Sequence, residues 1–346
     1  MLIRRPEINL LQKNLLNLFK RGKGNLQGKD LARFYEKLMP AMSPIFYRNL
    51  LGDEGMQCLK VRQWGFRYLL AAAAELDSLM NFTGLRMDIN DALLRGHKQI
   101  WVENSEISCL VDFNRGGSFR LLNSKGPAVN FVNTWRDDGT SPLFLAEGLL
   151  PNCDMNPQQI ESKLAGRDCL FLEHYDYQVK RGNQTAQIQL IGEQGFRMDN
   201  RPGIFHICKT MDFDNGSPKV HVSYEVTNSS TLENECFFGS LLELGILNEP
   251  DVNNLVVNGA TVAWDRRSPF IYPDARKFKV RDFALEAAIE LEFEELTPVF
   301  VGPVFGASSS AAPEVFQGIR LFPFWKTSLK MGEKQEFKMT ITLSKR

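Results

Sequence analysis

The spacing of apolar residues along this chain changes once. Before about residue 83 they recur every three or four positions, and from about Gln99 they recur every second position. In the first region Ile8, Leu11, Leu15, Leu18 and Phe19 share one helical face, Pro6 suits a first turn, and Gly22 marks an expected stop. A second helix is predicted over 29–39 and a long third one over 56–80, through LKVRQWGFRYLLAAAAELDSLM. In the second region Val220, Val222, Tyr224 and Val226 alternate with His221, Ser223, Glu225 and Thr227. Leu285 to Phe293 and Phe337 to Leu343 repeat that pattern, with turn clusters such as DFDNGSP between the runs. On the order of a dozen antiparallel strands imply two stacked sheets. The pattern therefore predicts an α+β chain: a small helical bundle over 1–82, a linker over 83–98, and a large antiparallel β-supersandwich over 99–346.

Composition narrows the partners. Lys and Arg number 41, as do Asp and Glu, so no broad positive field gathers nucleic acid phosphates. The longest apolar run, Tyr68 to Ala74, is too short to span a bilayer, and the N-terminus lacks a secretory pattern, so a cytoplasmic protein without membrane association is expected. The six cysteines are scattered and read as reduced, mostly buried thiols. No spacing pairs the four histidines as ligands, so no metal is expected. The stretch GKGNLQGKD lacks the first glycine and the Ser or Thr of a phosphate loop, and no cofactor is expected.

Candidate chemistry gathers at a few places. LVDFNRGGSFRLL sets Asp112, Asn114 and Arg115 beside Gly116 and Gly117, where glycine permits a tight backbone bend and the flanking charges border a ligand-facing edge. LEHYDY supplies Glu173, His174 and Asp176, which either hold sugar hydroxyls and transfer protons or form a polar outer face. Trp64, Trp135 and Trp325 each have a charged neighbour, and an indole face stacks on the C–H face of a pyranose. Trp135, followed by Arg136 in a predicted loop, is read as binding or core packing, and Trp325 as core. His206 and His221 are read as sheet-face residues.

The segment 88–136 resembles the opening of the C-terminal sandwich of family-57 glycoside hydrolases, the α-amylase/4-α-glucanotransferase type. The shared features are Asn104, a strand from Ile107, the step Gly116-Gly117-Ser118, then Asn130, Thr134 and Arg136. Glu173-His174-Tyr175 stands where that family has Asp-His-Phe. RRPEINLLQKNLLNL is similar to a helix of its central region, keeping Pro6, Glu7, Asn9 and Lys13 with Gln12 in place of a histidine, and RQWG keeps Trp64 and Gly65 of a Tyr-Trp-His-Gly motif. The resemblance implies a galactose mutarotase-like supersandwich. In that family the catalytic carboxylates belong to an N-terminal barrel, and this chain begins after the barrel would have ended. No catalytic residue is carried over. The expectation is a protein that binds an α-glucan or similar oligosaccharide, beside a separate catalytic glycosidase chain, through Asp112, Arg115, Trp135, Arg136, Glu173, His174 and Trp64. The alternative is an aldose mutarotase or epimerase using Glu173, His174 and Asp176.

Overall fold

The computed structural model describes residues 6–46, 59–93, 96–134, 142–151, 156–167, 169–198, 201–230, 234–247, 254–265, 267–306 and 315–345. Three helices come first: α1 (Pro6–Asn25), α2 (Gly28–Leu38) and α3 (Leu59–Leu79). α1 runs past Gly22, which is a contact rather than a stop, since a Cβ there would stand 2.2 Å from the Phe34 ring. Phe34, Leu38 and Leu76 are fully buried among the helices. Their apolar faces also share one core with Leu110 and Leu121 of the strands that follow.

Those strands form a sequential antiparallel sheet: β1 (Arg86–Asn90), β2 (Gln99–Glu103), β3 (Ile107–Asp112), β4 (Ser118–Ser124) and β5 (Val129–Asn130). β1 lies in the stretch expected to link the two regions, and it pairs with β2 along its whole length. One face of the sheet meets the helices. The other, carrying Met87, Ile100, Val102 and Cys109, joins the main core. Asn104 ties this sheet to the next turn region, donating to the carbonyls of Asp214 and Ser217 while accepting from the Glu106 and Ile107 amides.

The second sheet contains β6 (Phe144–Pro151), then, after helix α4 (Pro157–Gly166), β7 (Asp176–Arg181), β8 (Thr185–Met198), β9 (Arg201–Asp214), β10 (Lys219–Asn228) and β11 (Asn234–Leu244). β12 (Leu255–Val257), β13 (Ala260–Val262), β14 (Phe270–Asp282), β15 (Ala287–Gly306), β16 (Val315–Leu329) and β17 (Lys334–Lys345) complete it. β15 explains how one sheet becomes two layers. Its first part, 287–293, pairs with β17 and so with β10, β9, β8 and β7, whereas 299–306 pairs with β16 and so with β11 and β6. Glu294, Glu295 and Leu296, three exposed residues in succession, mark the crossing, and the β14–β15 register shifts alongside.

Aromatic rings fill the space between the layers. Phe238 of β11 stacks on Phe337 of β17 at 5.5 Å, and Trp325 of β16 does so at 5.0 Å. The alternating runs read from the sequence face this core: Val220, Val222, Tyr224 and Val226 are buried, as are Ile289, Leu291, Phe293, Met339 and Ile341. Each large apolar side chain so removed from water contributes about 1.5–3 kcal/mol. The architecture is a mainly antiparallel β-sandwich. α4, which periodicity did not reveal, covers the outer face of the β6–β11–β16 layer through Ile160 and Leu164 against Phe300 and Phe322. It starts at Asn156, whose Oδ1 accepts from the Gln158 and Gln159 amides.

Burial also fixes the thiol chemistry. Cys109 is fully buried, burial pushes its thiol far above the ordinary value, and Cys236 is pushed up to about 12 by the same cause. Neither forms thiolate near neutrality. Ellman's reagent at about pH 8 is expected to leave both unmodified in the folded protein and to label them after denaturation; rapid labelling of either in the native state would contradict this packing.

Candidate functional site

The bend between β3 and β4 places Gly116 at φ +64° and Gly117 at φ +55°, backbone that glycine adopts without a Cβ penalty. The bend is locked to the segment before β7. The Gly116 amide donates to the Glu173 carbonyl at 2.9 Å, and the Tyr175 amide donates to the Phe113 carbonyl at 2.8 Å. Two stretches about sixty positions apart, 112–118 and 173–177, thereby share one rim. His174 Nδ1 lies 3.2 Å from Asn114 Oδ1, its ring packs edge-on to Phe113, and Phe113 sits 4.4 Å from the Tyr177 ring.

Asp112, Arg115, Glu173, His174 and Asp176 are thus all drawn to this rim, but in different environments. Asp112 is buried, its Oδ1 has no hydrogen-bond partner, and His97 Nε2 stands 3.9 Å away. Arg115 is half-exposed, and Glu173, His174 and Asp176 are exposed. His174 Nε2 and Asp176 Oδ1 are 3.7 Å apart with 57% and 92% of their side chains accessible. Water screens such a pair strongly. The rim can donate and accept hydrogen bonds to hydroxyl groups, and it does not hold a carboxylate and an imidazole together in a desolvated cleft.

Trp64 is placed elsewhere. It is 45% exposed on α3, under the Lys60 ammonium at 5.3 Å from its ring centre. Its neighbours Gln63 and Arg62 donate to the carbonyls of Asn130 and Asn133. Trp135 and Arg136 lie outside the described residues. Among the described residues no group of three or more His, Cys, Asp or Glu is placed to hold a metal ion. No helix among them is long and apolar enough to cross a membrane.

Beneath the rim sits a charged pair that the motif search passed over. Lys209 of β9 and Glu147 of β6 are both 0% exposed, with Nζ 2.6 Å from Oε1. Lys209 also donates to the carbonyls of Leu145 at 2.7 Å, Gly117 at 2.9 Å and Gly116 at 3.3 Å. Leu145 holds φ +63°, rare for a branched residue, and the lysine accounts for its turned carbonyl. Tyr175 donates to Glu147 Oε2 at 3.2 Å. Burial pushes the Lys209 ammonium down and the Glu147 carboxyl up, and each is drawn back by the other's charge. Burial, with the Glu147 charge, drives the Tyr175 phenol well above its usual value, so it remains a donor. The sequence did carry a sign of this: Phe205, Ile207, Lys209, Met211 and Phe213 alternate in phase, which puts the lysine on the inner face.

The model of the family described as alpha-amylase/4-alpha-glucanotransferase, C-terminal, matches residues 159–341, more than half of the chain. The chain belongs to this family. Glu173, His174 and Asp176 fall within the region matched to the family, and the double-glycine bend precedes it. The crystal structure of 4-alpha-glucanotransferase from Thermococcus litoralis aligns with 99% of this family member at TM-score 0.72 and 16% identity. The alignment covers 50% of that protein, so this chain spans about half its length. A galactose mutarotase-like protein from Clostridium acetobutylicum aligns over all of its own length and 77% of this chain, at TM-score 0.51 and 10% identity. At these identities the likeness is one of fold, a galactose mutarotase-like β-sandwich. Sequence comparison with curated proteins gives no match.

Proposed function

We propose that this chain, a helical bundle joined to a supersandwich, is a cytoplasmic carbohydrate-binding protein that holds an α-glucan or related oligosaccharide without cleaving it. It acts beside a separate catalytic glycosidase chain. The observation that carries this reading is membership of the alpha-amylase/4-alpha-glucanotransferase C-terminal family. It is supported by the rim, where Arg115, Glu173 and His174 offer hydroxyl partners to solvent, and by Trp64, whose exposed indole suits a pyranose face. Electrophoresis through a gel containing glycogen is expected to retard the protein relative to a glycogen-free gel, and identical mobility in both would contradict it. The galactose mutarotase-like fold favours one second reading, an epimerase using His174 with Glu173 or Asp176. Polarimetry on fresh α-D-glucose decides between the two. The binding reading expects an unchanged mutarotation rate, and acceleration abolished by His174→Ala would establish the other.

A further inference from the structure

A cavity of about 290 Å³ lies between α1, α3 and the face of the first sheet that meets the helices. The strand register sets up its wall. Arg86, Asp88 and Asn90 alternate along β1 with Met87, which faces the core, and Asp88 stands directly opposite Trp101 of β2. Trp101 is only partly covered by the helices, so its ring borders the cavity.

The charges at one end are already satisfied. Glu103 contacts Lys125 at 3.0 Å, Arg21 at 3.1 Å and Arg86 at 3.2 Å. Lys125 and Arg21 also reach Asp77. In this network every charged group has a partner of opposite sign. What remains unpaired is of another kind. Among the described residues the Trp101 indole N–H, the Asp88 carboxylate and the Asn90 amide make no side-chain hydrogen bond. Asn123 on β4 is 4% exposed and donates to Ser108 Oγ, yet its Oδ1 accepts nothing from the protein. A buried acceptor without a donor is uncommon, because leaving it unmade costs about 1–3 kcal/mol.

We infer that this cavity is a subsite for a single neutral hexopyranose ring, stacked on Trp101 and hydrogen-bonded to Asn123 Oδ1, Asp88 and Asn90. Hydroxyl groups both donate and accept, which matches a wall holding unpaired acceptors, a donor N–H and an amide, and the indole takes the ring's C–H face. Arg21 and Arg86 are both engaged with Glu103. The volume sets the size. Ligand cavities run from roughly 300 to 1,000 Å³, so this one admits one sugar ring and not a chain. The inference rests on the carbohydrate-binding reading and gives it a location, away from the rim at the double-glycine bend.

The test is calorimetric titration of the full chain with D-glucose and with maltotriose, repeated on Trp101→Ala, Asn123→Ala and Asp88→Ala. Trp101→Ala is expected to weaken glucose binding about tenfold or more, and Asn123→Ala about three- to tenfold, with thermal midpoints recorded as a check on folding. Asp88 is exposed, so Asp88→Ala keeps the test decisive should Trp101→Ala fail to fold. Wild-type binding that all folded variants reproduce within about twofold would overturn this subsite while leaving the carbohydrate-binding reading intact. Absence of wild-type binding to either sugar would overturn both.

Discussion

Lys209→Met is expected to lower the stability of the chain by about 3–5 kcal/mol, the cost of stranding a buried carboxylate without its cation. Among the described residues Lys209 is the cation paired with Glu147, at 2.6 Å, and both side chains are wholly buried. The same change removes the Lys209 donor from the buried carbonyls of Leu145, Gly117 and Gly116. Adding Glu147→Gln removes the unpaired charge and keeps an acceptor for Tyr175, so the double variant is expected to be more stable than Lys209→Met alone. Recovery is incomplete, because those three carbonyls still lack the lysine donor. Urea denaturation followed by tryptophan fluorescence measures both effects. A loss below about 1 kcal/mol for Lys209→Met, or no gain from the second substitution, would show that the pair does not anchor the sandwich.

Gly116→Ala is expected to cost about 3 kcal/mol or more, through two separate terms. At φ +64° an L-residue is strained by about 1–2 kcal/mol. The new Cβ would also stand 2.5 Å from the Phe171 carbonyl oxygen, a backbone atom that yields only if the segment before β7 moves. That movement stretches the bond from the Gly116 amide to Glu173 and displaces His174 from Asn114. Gly216→Ala is the control. It shares a positive φ of +68° but meets nothing nearer than 3.9 Å, so its cost is expected to be the conformational one alone, about 1 kcal/mol. Equal destabilisation by the two substitutions would remove the steric argument and leave the bend with no special role.

What periodicity could reveal, it revealed where one face of an element is wet. Val220 to Val226 and Phe337 to Leu343 alternate because one side of β10 and β17 faces solvent. Elements buried on both faces carry no such contrast. β3 and β4 are buried at every position, so their polar residues, Asp112 and Asn123 among them, could not be assigned an exposure from spacing. The passage of β15 between layers was hidden too, as were its exact partners, since nothing in an alternating run states which neighbour it pairs with. Gly22 read as a helix stop because a glycine that accommodates a ring from another helix looks the same in sequence as one that ends a helix. Trp101 was passed over for a related reason. Its setting depends on α1, α3 and β1 meeting around it, and α1 ends at Asn25, far along the chain from α3 and β1. The buried Lys209, by contrast, is legible from its phase between Ile207 and Met211 on the inner face of β9.

The most direct measurement is isothermal titration of the purified chain with maltoheptaose at millimolar concentration. Saturable heat with a defined stoichiometry, and no shortening of the oligosaccharide when the mixture is chromatographed afterwards, is the predicted result. No heat above dilution, or products of altered chain length, would contradict a role in holding glucan without cleaving it.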